Sequence, residues 1–132
     1  MRTKLAFAAA GLGLLLASVP AIAHHSFAAE FDAAKPIKLT GSVTKVEWMN
    51  PHTYFYIDVK DEKGSVTNWG LEMGSPNGLM RQGWTRNSMK IGDMVTVEGS
   101  AAKDGSNIGN ARSVTLSGGQ RLFAGSSQTT TP

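Results

Sequence analysis

The chain has 132 residues, of which 41% are hydrophobic, 13 are basic, 10 are acidic and none is cysteine. That length is one domain, and the missing thiols exclude cysteine nucleophiles, thiol redox relays, disulfides and thiolate metal sites. Arg2 and Lys4 supply most of the basic excess. Without them 11 basic side chains face 10 acidic ones, too even a balance for the clustered positive charge that binds nucleic acid.

Arg2 and Lys4 form a basic n-region. Leu5 to Val19 is an apolar h-region rich in Ala, Gly and Leu, and Pro20 precedes Ala21-Ile22-Ala23, a small-x-small cleavage pattern. The apolar run is shorter than the roughly 20 residues that span a bilayer. Residues 1–23 are therefore read as a signal peptide cleaved after Ala23, with an uncleaved anchor as the alternative. Cleavage would leave 109 of the 132 residues, periplasmic or secreted, with no stable membrane insertion and no cysteine to take a lipid anchor.

Residues 24–36 read as an N-terminal arm. Phe27 and Phe31 lie four apart among alanines, which suits a short helix or an ordered arm that lays two rings on the core. Pro36 marks the start of the sheet. The first strand is predicted over Ile37 to Trp48. Leu39, Gly41 and Val43 share one parity and Val46 and Trp48 the other, a switch that a β-bulge produces. Asn50-Pro51 is a corner, and Thr53 to Lys60 is a second strand in which Phe55, Ile57 and Val59 alternate with Tyr54, Tyr56 and Asp58. Asp61 to Gly64 is a turn. The third strand, Ser65 to Met73, alternates Thr67, Trp69, Leu71 and Met73 with Asn68, Gly70 and Glu72.

Ser75-Pro76 reads as N-cap and first residue of a helix of about two turns that buries Leu79 and Met80 and stops at Gly83. Met94 to Ala101 is the fourth strand, Lys103 to Asn107 a hairpin loop with an Asp-Gly signal, and Ala111 to Leu116 the fifth strand. Arg121 to Phe123 is a short closing strand, and residues 125–132 are polar enough to be disordered. The fold class is thus all-β: a five-stranded OB-fold-like Greek-key barrel over residues 37–124, with one short helix between strands 3 and 4. A β-sandwich usually has more strands and no helix there.

Several blocks together resemble a family of small exported bacterial proteins of unknown function. They are His24-His25-Ser26-Phe27, Val46-Glu47-Trp48-Met49-Asn50-Pro51-His52, Glu72-Met73-Gly74-Ser75-Pro76-Asn77, Gly83-Trp84-Thr85-Arg86-Asn87-Ser88 and Lys90-Ile91-Gly92-Asp93. The resemblance covers nearly all of the chain after residue 23. It implies an exported single domain and assigns no catalytic residue. More loosely, the chain is similar to exported bacterial OB-fold proteins that bind small ligands or cations.

The three histidines are His24, His25 and His52. Cleavage after Ala23 would make His24 the first residue, so that its α-amine and imidazole could chelate one metal, with His25 or His52 adding a nitrogen. Nitrogen-only ligand sets suit Cu(II). This start resembles the copper histidine brace of exported oxidative enzymes, whose scaffolds are larger and whose substrate face is flat. His52, at a strand start after Pro51, equally suits a structural role in capping the corner by hydrogen bonds to backbone. Tyr54 and Tyr56 share one face of the second strand and, with Trp48, form a candidate stacking platform for an envelope ligand or partner protein. Tryptophan and tyrosine serve as readily as core and rim. Asp58, Glu72 and Glu47 read as the charges of exposed strand faces, and the scattered methionines as packing. Phosphate loops, nucleophile elbows and zinc-protease motifs are absent from the sequence. The expected function is a non-enzymatic exported binding module.

Overall fold

The computed structural model describes residues 27–127. The expected signal peptide, His24, His25 and residues 128–132 lie outside the described residues. The elements are α1 (Phe27–Glu30), β1 (Phe31–Glu47), β2 (Tyr54–Lys60), β3 (Val66–Glu72), α2 (Pro76–Arg81), β4 (Met94–Ala102), β5 (Ile108–Thr115) and β6 (Arg121–Phe123). No described helix is long and apolar enough to cross a membrane.

The strands run in the order β3-β2-β1-β4-β5-β6, and a parallel pairing of β3 with β5 closes the sheet. A three-strand meander whose first strand also pairs with β4, with β5 returning to β3, is the OB-fold barrel. The fold is all-β and OB-like. The sixth strand adds to β5 outside the barrel and leaves the class unchanged. Alternation fills the interior: Val43, Phe55, Ile57, Leu71, Val95, Val97 and Val114 are all buried, as strand periodicity requires.

β1 is 17 residues long and can serve two partners because it bends. Its register against β2 shifts between Val43 and Lys45, which turns both Val43 and Val46 toward the core despite their opposite parity. The strand also begins earlier than Ile37. Phe31 already pairs with Ala102, and an irregularity between Phe31 and Pro36 accommodates the proline. The segment 31–36 is therefore strand, and only α1 stands before it among the described residues. Phe27 and Phe31 stack at 5.7 Å between ring centroids, and Phe31 is buried.

β5 begins at Ile108, three residues before the expected Ala111, because Ile108, Gly109 and Asn110 pair with Gly70, Leu71 and Glu72 across the closure. At the bulge between Glu98 and Gly99, a Cβ on Gly99 would collide with the Asn110 carbonyl oxygen, so glycine is required there. α2 is capped as its sequence predicts: the Ser75 hydroxyl accepts from the Gly78 amide, and Pro76 sits in the first turn. Leu79 is fully buried, but Met80 is half exposed, as are Met49 and Met94. These three methionines do not pack the core; Met73 and Met89 do. In a six-residue helix one side chain per turn meets the barrel, and Met80, next to Leu79, points elsewhere.

Trp84 is buried and its indole N–H donates to the Phe123 carbonyl at 2.8 Å, which ties the segment after α2 to β6. Residues 125–127, expected to be disordered, pack on the barrel instead. The Ser126 hydroxyl bonds Asn110 Oδ1 at 2.5 Å, the Ser127 hydroxyl accepts from Asn110 Nδ2, and the Gly74 amide donates to the Ala124 carbonyl. A buried asparagine needs partners, and this polar tail supplies them.

Candidate functional site

The corner between β1 and β2 sets the position of His52. Its Asn50-Pro51 peptide is cis. The Thr53 amide donates to the Gly74 carbonyl and the Met73 amide to the Thr53 carbonyl, so backbone pairing continues past the strand ends and holds residue 52 beside residue 73. His52 Nδ1 lies 3.1 Å from the Met73 carbonyl oxygen. A carbonyl only accepts, so Nδ1 carries a proton and donates it there. His52 therefore caps backbone at the corner. Its side chain is about one-third exposed (31%). Among the described residues no three His, Cys, Asp or Glu side chains gather to hold a metal; His24 and His25, the other candidate ligands, lie outside them.

Tyr54 and Tyr56 lie on the outer face of β2, as their shared parity predicts, but they do different things. Register puts Tyr54 opposite Glu47 on one side and Glu72 on the other, and its hydroxyl donates to Glu72 Oε2 at 2.7 Å. Tyr56 lies opposite Lys45 and Gly70. A Cβ on Gly70 would sit 3.1 Å from the Tyr56 ring, so the ring covers the bare glycine. Lys45 Nζ stands 5.4 Å from the ring centroid and pairs with Glu47 at 2.6 Å; that bond and the Glu47 charge raise the lysine's proton affinity above its ordinary value. Trp48, just past the end of β1, is partly buried and packs against the core cluster.

Glu72 departs most from its sequence reading. It is only 6% exposed, not the charge of an open strand face. Its place in the β3–β5 seam explains the difference: Asn110 pairs beside it and a cleft opens over it. The cleft has a volume of about 430 Å³ and is bounded by α1, the start of β1, the β4–β5 hairpin and the outer face of β2–β3. Glu72 and Tyr54 lie within it, with Glu30, Lys103, Asp104 and Ser106 as the other polar groups. Phe31, Ala102 and Ile108 supply apolar wall. The Asp104 carboxylate is fixed by the Ser106 amide and hydroxyl through Oδ1, bonds that hold its pKa below the ordinary carboxylate value.

Burial is the main cause that pushes the Tyr54 phenol above its usual pKa; the bond to Glu72 and the charges of Glu72 and Glu30 add to it. At neutral pH the phenol is thus a hydrogen-bond donor and not an acid. His52 belongs to the same neighbourhood, with Nδ1 3.8 Å from Glu72 Oε1, beyond hydrogen-bond reach. Sequence reasoning places Tyr54 on a ligand face but gives no role to Glu30, Asp104 or the cleft. Its one available signal is the hairpin register: six steps back from the Lys60–Val66 pair, Tyr54 faces Glu72.

A second, shallower depression of about 410 Å³ lies across the barrel's β1–β4–β5 surface. It is lined by Lys38, Glu98, Arg112 and Arg121 among others. Three cationic side chains face one carboxylate there, and Arg121 Nη2 pairs with that carboxylate at 2.7 Å.

A family model described as "Family of unknown function (DUF6152)" matches residues 11–112. No curated protein matches the chain. Among solved structures, the chain is similar to Rim1, a mitochondrial single-stranded DNA binding protein of S. cerevisiae. That likeness has a TM-score of 0.49 at 12% identity, over 62% of this chain and 92% of the other. It is also similar to part of the TiaS chain in a complex of TiaS with a tRNA and ATP, with a TM-score of 0.46 at 23% identity, over 61% of this chain and 18% of the other.

Proposed function

Starting from the fact that the chain belongs to this family of unknown function, we propose that it is an exported, non-enzymatic binding module of OB type. It takes a small envelope ligand in the cleft over Tyr54 and Glu72. One observation carries this reading: the cleft joins a nearly buried carboxylate and a phenol locked as its donor to an apolar wall, the mixture that small-ligand sites use. Export rests on the basic, apolar and Ala-x-Ala pattern of residues 1–23. The carboxylates of the cleft disfavour a phosphate backbone as its ligand. An open stacking platform for a partner protein is less well supported, because Tyr54 is bound to Glu72 and Tyr56 is laid on Gly70.

Two measurements test this. Mass spectrometry of the exported protein should find His24 as the first residue; a retained Met1 would sink the export reading. A fragment library screened by amide chemical shifts should give hits that cluster on Tyr54, Glu72, Lys103 and Ser106. Hits gathered only around Arg112 and Arg121 would place ligand binding elsewhere.

A second reading keeps Cu(II), for one specific reason. Metal-binding histidines usually donate their other ring N–H to a fixed acceptor, and His52 does so through Nδ1. Its Nε2 would join the α-amine and imidazole of His24, and His25, around copper. Calorimetric titration of the mature protein with Cu(II) should lose affinity in both His24→Ala and His52→Ala. Binding unaffected by His52→Ala would leave no structured site.

A further inference from the structure

We infer that the cleft ligand carries a primary ammonium group on a short apolar body. This rests on the binding-module reading and names its ligand class. The inference starts from Glu72. Its side chain is 8% exposed, and Oε2 is taken by the Tyr54 hydroxyl. Oε1 has no donor among the described residues: His52 Nδ1 stands 3.8 Å away, and its proton already goes to the Met73 carbonyl. Oε1 is not sealed from solvent, since the fully buried side-chain oxygen left unpartnered among the described residues is Thr53 Oγ1. It is open at the cleft to a ligand that brings a donor, and a hydrogen bond to a charged group in a largely desolvated site is a strong one.

The surroundings narrow what that ligand is. Among the described residues the carboxylates of Glu72 and Asp104 face one ammonium, Lys103, in the cleft, so a cation is favoured and an anion opposed. The raised proton affinity of the Tyr54 phenol, caused in part by Glu72 and Glu30, reports the same negative field at the cleft floor. A guanidinium gains most from two parallel bonds to one carboxylate. Glu72 has a single oxygen to give, which suits the point charge of an ammonium. A quaternary ammonium has no N–H to offer and needs an aromatic cage. Phe31, Ala102 and Ile108 then receive a few methylenes beside the charged head.

Three probes of one length decide the matter: n-butylammonium, n-butanol and butyrate. Each is titrated into the mature protein while the amide shifts of Tyr54, Glu72 and Ser106 are followed. n-Butylammonium should bind roughly tenfold or more tightly than n-butanol, the gain expected of a hydrogen bond to a charged group. Glu72→Gln, which keeps an acceptor for Tyr54, should bring the two together; its thermal transition shows whether it remains folded. Equal binding of butanol and butylammonium, or a preference for butyrate, would overturn the ammonium inference and leave the cleft as a binding site. Cleft shifts with none of the probes would overturn both. The wild-type comparison holds even if the variant does not fold.

Discussion

Tyr54 and Glu72 hold each other in place. The phenol supplies the donor that keeps the nearly buried carboxylate tolerable, and the carboxylate fixes the ring over the cleft. Tyr54→Phe removes the hydroxyl and strands the acceptor, so it should destabilise the protein by about 1–3 kcal/mol in urea unfolding. The pH dependence follows from the same bond. Burial first, then Glu72, raises the phenol's pKa in the folded state above its ordinary 10.0. A group whose pKa is raised on folding stabilises fully below its unfolded pKa and loses that contribution as pH rises through the folded one. Wild-type stability should therefore decline above about pH 10, and the difference between wild type and Tyr54→Phe should shrink over that range; a constant difference would refute the assignment. The pair was half legible beforehand. Hairpin register puts the two residues opposite each other, but Glu72 is also covered by its pairing with Asn110 of β5, which arrives from a distant part of the chain.

At the scale of elements, local chemistry was readable and non-local pairing was not. The Ser75-Pro76 cap, the turn at Asp61–Gly64 with its positive-φ Gly64 and the bulge in β1 all announce themselves within a few residues. The strand segments 31–36 and 108–110 do not. They are extended because β4 and β3 lie beside them, and neither Pro36 nor the polar Asn107 and Asn110 advertise a strand. α2 is the element most exposed to a single change, because a six-residue helix has little stability apart from its cap and its one buried leucine. Ser75→Ala should cost about 0.5–2 kcal/mol, with a urea slope unchanged from wild type. Ser75→Asp should recover most of it. A neutral Ser75→Ala would mean that Leu79 alone holds the helix.

At the scale of the whole molecule, the barrel is built around β1, which pairs with β2 along one half and β4 along the other. The topology was legible as a class from strand count, helix position and turns. The seam that makes the cleft was not, because a parallel β3–β5 contact leaves no mark on either strand's alternation. The two ends of the described chain also converge on that seam. Phe31 lies opposite Ala102 on β4, and the serines at 126 and 127 hold Asn110, whose partner is Ser100, two residues back along the same strand. Linear order is then a convenience of synthesis and not a demand of the architecture. A circularly permuted gene, with a Gly/Ser bridge from Ser127 to Phe27 and new ends opened in the exposed turn between Glu62 and Lys63, should yield the same barrel, with an unchanged circular dichroism spectrum and cooperative melting. Failure to fold would show that the β2–β3 hairpin must stay covalently closed for the rest to assemble.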